Sequence, residues 1–531
     1  MGIGDSVGQH PRRDPDPVFY CPIPNPQSPI PNPQSPIPNP QSPIPAPMHD
    51  TLLLFGATGD LAQRYLFPSL LHLLRDRLLP PTFRVVAVGR TGLDDADFGQ
   101  WLRERLDDGD GRDADVLDDL LARTRYLSLD LNDPEAMRTA LSQYADRPSV
   151  SYLSTPPDLF VPACRGLKAA GLLEGQSRLV LEKPIGRDLA SACAINATLG
   201  SALDESRIFR IDHYLGKAPV QNLLALRFGN TLMEAVWQHR WIASVDILVA
   251  ETAGVDGREG YYANYGALRD MVQNHMLQLL ALVAMEPPSE LSANTVRDEK
   301  TKVLRALRPM TARDVAIDSV RGRYDTGVVE GEAVNGFTHD SDVETFVALR
   351  AYIDNWRWAG VPFRLVTGKR MPSRTTEVVV SFKPVSHWVF ERPDRERARP
   401  NRLRMRLQPE ETIELGLMGS LAAPEWGATE LQPMSLDLSM SPTPARRIAH
   451  ERLLVDALKG DQTLFVRDDE VEAAWGWIDS VSSAWQEAAT PVHNYPAGSW
   501  GPAAASDFLP VTLSTRGQRK QGGKQTGKPA A

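Results

Sequence analysis

Thr51-Leu52-Leu53-Leu54-Phe55-Gly56-Ala57-Thr58-Gly59-Asp60 decides the fold of this 531-residue chain. A run of strand length stops at a G-x-x-G turn, and Leu66, Leu70, Leu73 and Leu74 then recur at helical spacing. Strand, glycine turn and helix in that order let the backbone approach a pyrophosphate whose charge sits on the helix N-terminus. The spacing is looser than a three-glycine fingerprint, so the next strand carries weight. Phe83-Arg84-Val85-Val86-Ala87-Val88-Gly89 ends in Arg90, where such a fold meets the adenine ribose. An acid there binds a free 2′-hydroxyl, whereas an arginine accommodates a 2′-phosphate, which favours NADP over NAD.

Two further apolar runs extend the pattern. Val150 to Leu153 leads into Ser154-Thr155-Pro156-Pro157, and Arg178 to Leu181 leads into Glu182-Lys183-Pro184. Strands alternating with helical stretches predict a doubly wound parallel sheet, in which ligands collect beyond the carboxyl ends of the strands. Thr155, Lys183 and the loop after Arg90 therefore point to one crevice. Further on, Glu377 to Phe382 and Leu403 to Leu407 read as strands, and Val343 to Ile353 as a helix. The expected fold class is α/β plus α+β: a Rossmann-type dinucleotide-binding domain over residues 48–211, then an α+β domain over 212–513 with a large, mainly antiparallel sheet.

Composition excludes several classes. With 58 Lys+Arg against 67 Asp+Glu, the formal charge of −9 offers no general attraction for nucleic acid. Cys21, Cys164 and Cys193 cannot make a disulfide framework, and no Cys/His cluster has metal-ligand spacing, so the expectation is a reducing, cytoplasmic setting with no metal. The longest apolar stretch, Met276 to Met285, is far short of the roughly 20 residues that span a bilayer, so no membrane partner is expected. Residues 22–42 are three copies of PIPNPQS; so many prolines deny the backbone its donors, and residues 1–47 read as a disordered tail with Met48 a plausible start. Residues 514–531, basic and rich in Gly and Gln, read as a second disordered tail.

Arg210-Ile211-Asp212-His213-Tyr214-Leu215-Gly216-Lys217 resembles the signature of glucose-6-phosphate dehydrogenases. GATGDLAQRYLFPSLL, EKPIGRDL, LRDMVQNHMLQLLALVAMEPP, VRDEKTKVLRALRP and GVPFRLVTGKRM resemble segments of the same family in the same order, across roughly residues 50–500. The resemblance implies oxidation of glucose 6-phosphate to 6-phosphogluconolactone with hydride transfer to NADP, the first step of the oxidative pentose phosphate pathway, in a homodimer or homotetramer. It makes His275 the general base and Asp212 its partner. His213, Tyr214 and Lys217 would hold the sugar phosphate, and Lys183 would lie between substrate and nicotinamide, on a cis Lys183–Pro184 peptide. Glu251 and Asp270 would bind ring hydroxyls, with Lys369 and Arg374 as further substrate contacts. Cofactor contacts would come from Gly56, Thr58, Gly59, Asp60, Leu61, Arg90, Asp130, Leu131, Thr155 and Lys183. The chain departs from the family at Tyr65, where several relatives carry a lysine that contacts cofactor phosphates or substrate; Arg64 is the nearest substitute. Pro68 should bend or locally unpair the first helix.

Taken singly, these residues have plainer readings. His275 shares a helical stripe with Leu268, Met271, Val272, Leu279 and Leu282, which by itself describes a core histidine. Asp212 and His213 could cap a helix, and Trp356, Trp358, Trp388 and Trp475 read as core or sheet-face residues. Two other functions compete: a different sugar oxidoreductase sharing the E-K-P strand end, and a catalytically silent NADPH-binding regulator. The first gives no reason for RIDHYLGK, and the second none for an intact His275 and Asp212. Deleting residues 1–47 is expected to leave turnover and melting temperature unchanged, because a proline-rich extended chain adds no core. A large loss of either, in a steady-state assay or a thermal melt, would show that the tail packs.

Overall fold

Six short segments become the parallel strands β1 (Thr51–Phe55), β2 (Arg84–Gly89), β3 (Thr124–Ser128), β4 (Val150–Leu153), β5 (Arg178–Leu181) and β6 (Ile208–Ile211). They lie in the order β6-β5-β4-β1-β2-β3, every pair parallel. All five residues of the central β1 are buried, as expected of a parallel strand covered on both faces. The computed structural model describes residues 1–2, 48–106, 111, 113–255, 257, 259–338, 342–387, 400–421, 430–438, 449–510 and 513. The expectations for the tails 1–47 (Met1 and Gly2 apart) and 514–531, and those for Cys21 and Trp388, lie outside the described residues. Every strand and helix among the described residues lies within Pro47–Ala531.

The first helix carries the mark of its proline. Ala62–Leu66 adopts the wider π register and runs without a break into the α-helix Phe67–Arg75, whose second residue, Pro68, has no amide to donate to the turn before it. Ser69 Oγ donates to the Tyr65 carbonyl at 2.6 Å.

The second sheet has nine strands: β7 (Ile242–Ala250), β8 (Ser319–Asp325), β11 (Phe346–Ala351), β12 (Phe363–Gly368), β13 (Thr375–Phe382), β14 (Arg402–Gln408), β15 (Thr412–Leu421), β16 (Glu430–Asp437) and β18 (Val492–Pro496). A hairpin of β9 (Gly327–Val329) and β10 (Glu332–Val334) stands apart from it. The order is β16-β15-β14-β13-β7-β12-β11-β8-β18, antiparallel except for the pairs β7–β12 and β8–β18. The helix expected at Val343 to Ile353 is therefore corrected to strand β11. Phe346, Val347, Ala348, Leu349 and Ala351 are all buried, and a short apolar run buried on both faces has no period that separates strand from helix. Trp358 and Trp475 are core, but Trp356 is 95% exposed.

The end of the chain comes back to the first sheet. β17 (Phe465–Val466) pairs antiparallel with β6. The helix Asp468–Glu487 packs on Leu189–Gly200 and Ala293–Arg305, and one hydrophobic cluster runs from Leu52 on β1 through Leu279 to Val380 on β13. Inside it, Lys300 meets Glu470 at 2.7 Å and donates to Gln278 Oε1 at 2.9 Å, with both charged side chains buried. Removing one partner leaves the other charge uncompensated in a low-dielectric site. Glu470→Ala or Lys300→Met is expected to cost about 3–5 kcal/mol in urea unfolding, whereas the Lys300→Met/Glu470→Leu double variant should lose less than either single variant. Losses below about 1 kcal/mol in both single variants would contradict this account.

Candidate active site

Along the carboxyl edge of the first sheet, Gly56 follows β1, Arg90 follows β2, Asp130 lies two residues past β3, Thr155 lies two past β4, Glu182 and Lys183 follow β5, and Asp212 follows β6. Neighbouring strands are about 4.8 Å apart, so the sheet order spreads these groups over roughly 19 Å from Asp212 to Arg90. The glycine turn, after β1, lies three strands from Asp212 and one from Arg90. Gly56 has φ +80°, and a Cβ there would lie 2.2 Å from the Ser154 carbonyl oxygen, so only glycine fits. The Gly56 and Ala57 amides both donate to the Val88 carbonyl, at 2.8 and 3.0 Å, which pins the turn to β2. Thr155 Oγ1 is buried with no hydrogen-bond partner among the described residues. A backbone cradle without a side chain and an unpaired hydroxyl beside it fit a dinucleotide diphosphate. Asp60 pairs with Arg64 at 2.7 Å on the surface, Leu61 is half-buried, Leu131 is buried, and Arg90 and Asp130 are exposed. Thr58 Oγ1 lies 3.4 Å from Thr91 Oγ1, and Gly59 N donates back to Gly56 O at 2.9 Å.

The substrate candidates gather at the β5–β6 end. Lys183, on a cis peptide to Pro184, donates to the carbonyl of Asp270 at 3.0 Å and to its carboxylate at 3.1 Å. Trp475 Nε1 donates to the Ile185 carbonyl at 2.8 Å, fixing that loop from the returning helix. Lys369 reaches the Asp270 carboxylate at 3.8 Å and hydrogen-bonds Glu251. Asp212 Oδ1 lies 2.6 Å from His275 Nδ1 and also accepts from Tyr214 N at 2.9 Å. The His275 ring stacks on Tyr214 with centroids 4.2 Å apart and meets His213 edge-on at 4.5 Å, while Lys217 Nζ lies 3.7 Å over the Tyr214 ring. Arg374, exposed, reaches this group only through its charge on Lys217 and Tyr214.

His275 and Asp270 share a face because of an irregularity. Gly266, at φ +66°, breaks the preceding helix, and a Cβ on it would lie 2.5 Å from Glu344 Oε1. Glu344 instead accepts from the Leu268 amide at 3.1 Å and so caps the segment Leu268–Met276, which is π-helical. In an α-helix residues five apart point in different directions; a register with i→i+5 bonds brings them nearly in line.

Burial and neighbouring charge set the protonation states. Burial lowers His275 below its ordinary value, although Asp212 pulls it up, so the imidazole is neutral at pH 7. Burial acts to raise Asp212, but His275 and the Tyr214 amide hold it below its ordinary value. Asp270 is likewise opposed by burial, yet Lys183 and Lys369 hold it well below the carboxylate range. Burial pushes Lys217 down to about 8, with Arg374 adding repulsion. Donor atoms of Asp212, His213 and His275 lie within 4.8 Å of one another, but Asp212 and His275 face each other at hydrogen-bond distance with no room for an ion between them.

Three contributors are not marked by the sequence: Glu182, His450 and Glu344. Glu182 reads there only as part of a strand end; it is buried and accepts from Tyr152 Oη at 2.5 Å. His450 lies in the first turn of a separate helix, Ala449–Lys459, more than 230 residues from His213, the nearest motif residue it touches, and no local pattern marks it. Tyr65, the departure at a lysine position, is the one available signal: its ring stacks on His450 with centroids 5.3 Å apart.

The chain is similar to known proteins over most of its length. Residues 53–222 match the family described as glucose-6-phosphate dehydrogenase, NAD binding domain, and residues 224–514 match its C-terminal domain. A protein of Zymomonas mobilis subsp. mobilis named glucose-6-phosphate 1-dehydrogenase is 46% identical over 471 residues, covering 86% of this chain and 96% of that one. A solved glucose-6-phosphate dehydrogenase in complex with its substrate glucose-6-phosphate superposes with TM-score 0.77 at 32% identity, covering 91% of this chain and 100% of the other. The crystal structure of glucose-6-phosphate 1-dehydrogenase from Mycobacterium avium gives TM-score 0.75 at 35% identity, over 87% and 97%.

Burial pushes Glu182 from its ordinary 4.5 up to about 7, against the pull of the Tyr152 hydroxyl and Lys183. The fold thus favours the protonated acid; this contribution is complete below about pH 4.5 and is lost as pH rises through 7. Glu182→Gln, which stays neutral, should gain stability relative to the parent between pH 5 and 8 by on the order of 3 kcal/mol, read from urea unfolding at each pH. A pH-independent difference would contradict it.

Proposed function

The chain belongs to the glucose-6-phosphate dehydrogenase family, and from that premise we propose that it oxidises the C1 hydroxyl of glucose 6-phosphate to 6-phosphogluconolactone, with NADP rather than NAD as acceptor. The observation that carries this reading is the buried Asp212–His275 pair at the β6 end of the sheet, beside the Lys183–Asp270–Lys369 ion network. Gly56, Thr58, Gly59, Asp60, Leu61, Arg90, Asp130, Leu131, Thr155 and Lys183 would hold the dinucleotide; bound there, NADP supplies the hydride acceptor.

Neutral His275, its Nδ1 engaged by Asp212, has Nε2 left to take the proton of the C1 hydroxyl. Asp212 keeps the imidazole in one tautomer and stabilises the imidazolium that forms. His213, Tyr214 and Lys217 bind the phosphate and thereby fix the distance of C1 from His275. Glu251, Asp270, Lys369 and Arg374 take the ring hydroxyls, and the pairing of Asp270 with two lysines keeps it ionised as an acceptor. Lys183, anchored by Asp270, stands between sugar and nicotinamide. The preference for NADP is supported by Arg90 alone, and the resemblance supports a cytoplasmic homodimer or homotetramer in the oxidative pentose phosphate pathway. No helix among the described residues is long and apolar enough to cross a membrane.

His275→Asn is expected to lower kcat by on the order of 10²–10⁴-fold with KM for glucose 6-phosphate little changed, and Asp212→Asn to resemble it. Near-normal turnover with a raised KM would move the base elsewhere, first to Lys183. Arg90→Ala should weaken NADP by roughly 1.5–3 kcal/mol in a binding titration and leave NAD nearly unaffected; equal weakening of both would refute the 2′-phosphate contact.

A further inference from the structure

One more titratable side chain enters the sugar-phosphate end of the site, from the far end of the chain. His450 is 6% exposed and has two ring neighbours: Tyr65, with planes 29° apart, and His213, with centroids 5.9 Å and planes 16° apart. Its Nε2 lies 3.8 Å from the Glu182 carboxylate, beyond hydrogen-bond range. The adjacent Glu451 is turned to His72 at 2.7 Å and ties this helix to Phe67–Arg75, so the ring is mounted from two sides.

The charges around these imidazoles come from several elements. Glu182 faces His450 from just after β5, Tyr65 from the π turn and His213 from the loop after β6, while His213 itself feels His275, Lys183 and Lys217. Burial pushes His450 down to about 4, and burial with the neighbouring cations holds His213 well below its ordinary value. Both are therefore neutral in the resting protein at pH 7. A phosphate monoester brings close to two negative charges at that pH. Tyr65, stacked on His450, supplies no fixed positive charge there.

We propose that His213 and His450 act as a histidine pair that closes the phosphate pocket and takes up a proton from solvent when a sugar phosphate binds. The inference deepens the reading of this site as a glucose 6-phosphate site and rests on it. The entering dianion raises the proton affinity of the pair; no covalent bond changes, and one solvent proton ends on an imidazole nitrogen. Binding then weakens as pH rises, because the proton that accompanies the phosphate becomes scarcer.

Isothermal calorimetry of glucose 6-phosphate against the full chain, in buffers of different ionisation enthalpy near neutral pH, reads this uptake directly. The parent should take up a measurable fraction of a proton. His450→Phe, which keeps a stacked ring, and His450→Gln, which keeps a polar side chain, should both lose most of that uptake. Each should show KM raised about tenfold at low pH, with the gap closing as pH rises and the loss falling on KM more than on kcat. Adding Tyr65→Lys to His450→Phe should recover affinity without recovering uptake. Unchanged uptake and an unchanged pH profile of KM in both single variants would overturn the proposal while leaving the substrate reading intact. Absence of both binding heat and turnover in the parent would instead remove the substrate reading itself.

Discussion

A single hydrogen bond of 2.6 Å joins two residues 63 positions apart, Asp212 at the end of β6 and His275 on a π-helical segment. Neither partner could be buried alone at acceptable cost. A carboxylate in that setting needs a compensating donor, and a histidine on an apolar stripe is neutral and undirected until something fixes its tautomer. The rest of the site serves this contact: β6 must end at Ile211, Gly266 must turn left-handed, and Glu344 must hold the amide of Leu268 so that His275 faces back toward the first sheet.

Around that pair the charges are arranged in complementary layers. Asp270 lies between Lys183 and Lys369, Glu251 holds Lys369 from the other side, and Lys217 is desolvated over Tyr214. The His275 imidazole is thus kept neutral by burial, while Asp270 is kept ionised by Lys183 and Lys369. A buried imidazole at one end, a cationic bracket in the middle and a glycine cradle farther along the same sheet edge would suit two reactants held side by side.

Four strands of the first sheet are legible in the sequence because they are short apolar runs punctuated by glycine or proline, and each is followed within two residues by a residue with chemistry: Gly56, Arg90, Thr155 and Lys183; β3 and β6, each interrupted by an arginine, are not. The motif resemblance locates His275 and Lys369, which local pattern alone leaves as a core histidine and an unremarked lysine. Other features are not legible, for identifiable reasons. Phe346 to Ala351 is buried on both faces and so has no diagnostic period. The π register at Leu268–Met276 depends on a cap from Glu344, nearly 80 residues away. His450 arrives on a helix whose approach is fixed by the His72–Glu451 contact, a purely tertiary event, and Tyr65 is recognisable as unusual but not as its stacking partner.

Initial rates of NADP and NAD reduction by the purified full chain, with glucose 6-phosphate and in parallel with unphosphorylated glucose, test the assignment most directly. Rapid reduction of NADP with glucose 6-phosphate is expected, with slower or weaker use of NAD. Little turnover is expected with glucose, since the phosphate contacts of His213, Tyr214 and Lys217 would be empty. Equal rates with glucose and glucose 6-phosphate, or no turnover with either cofactor, would contradict it.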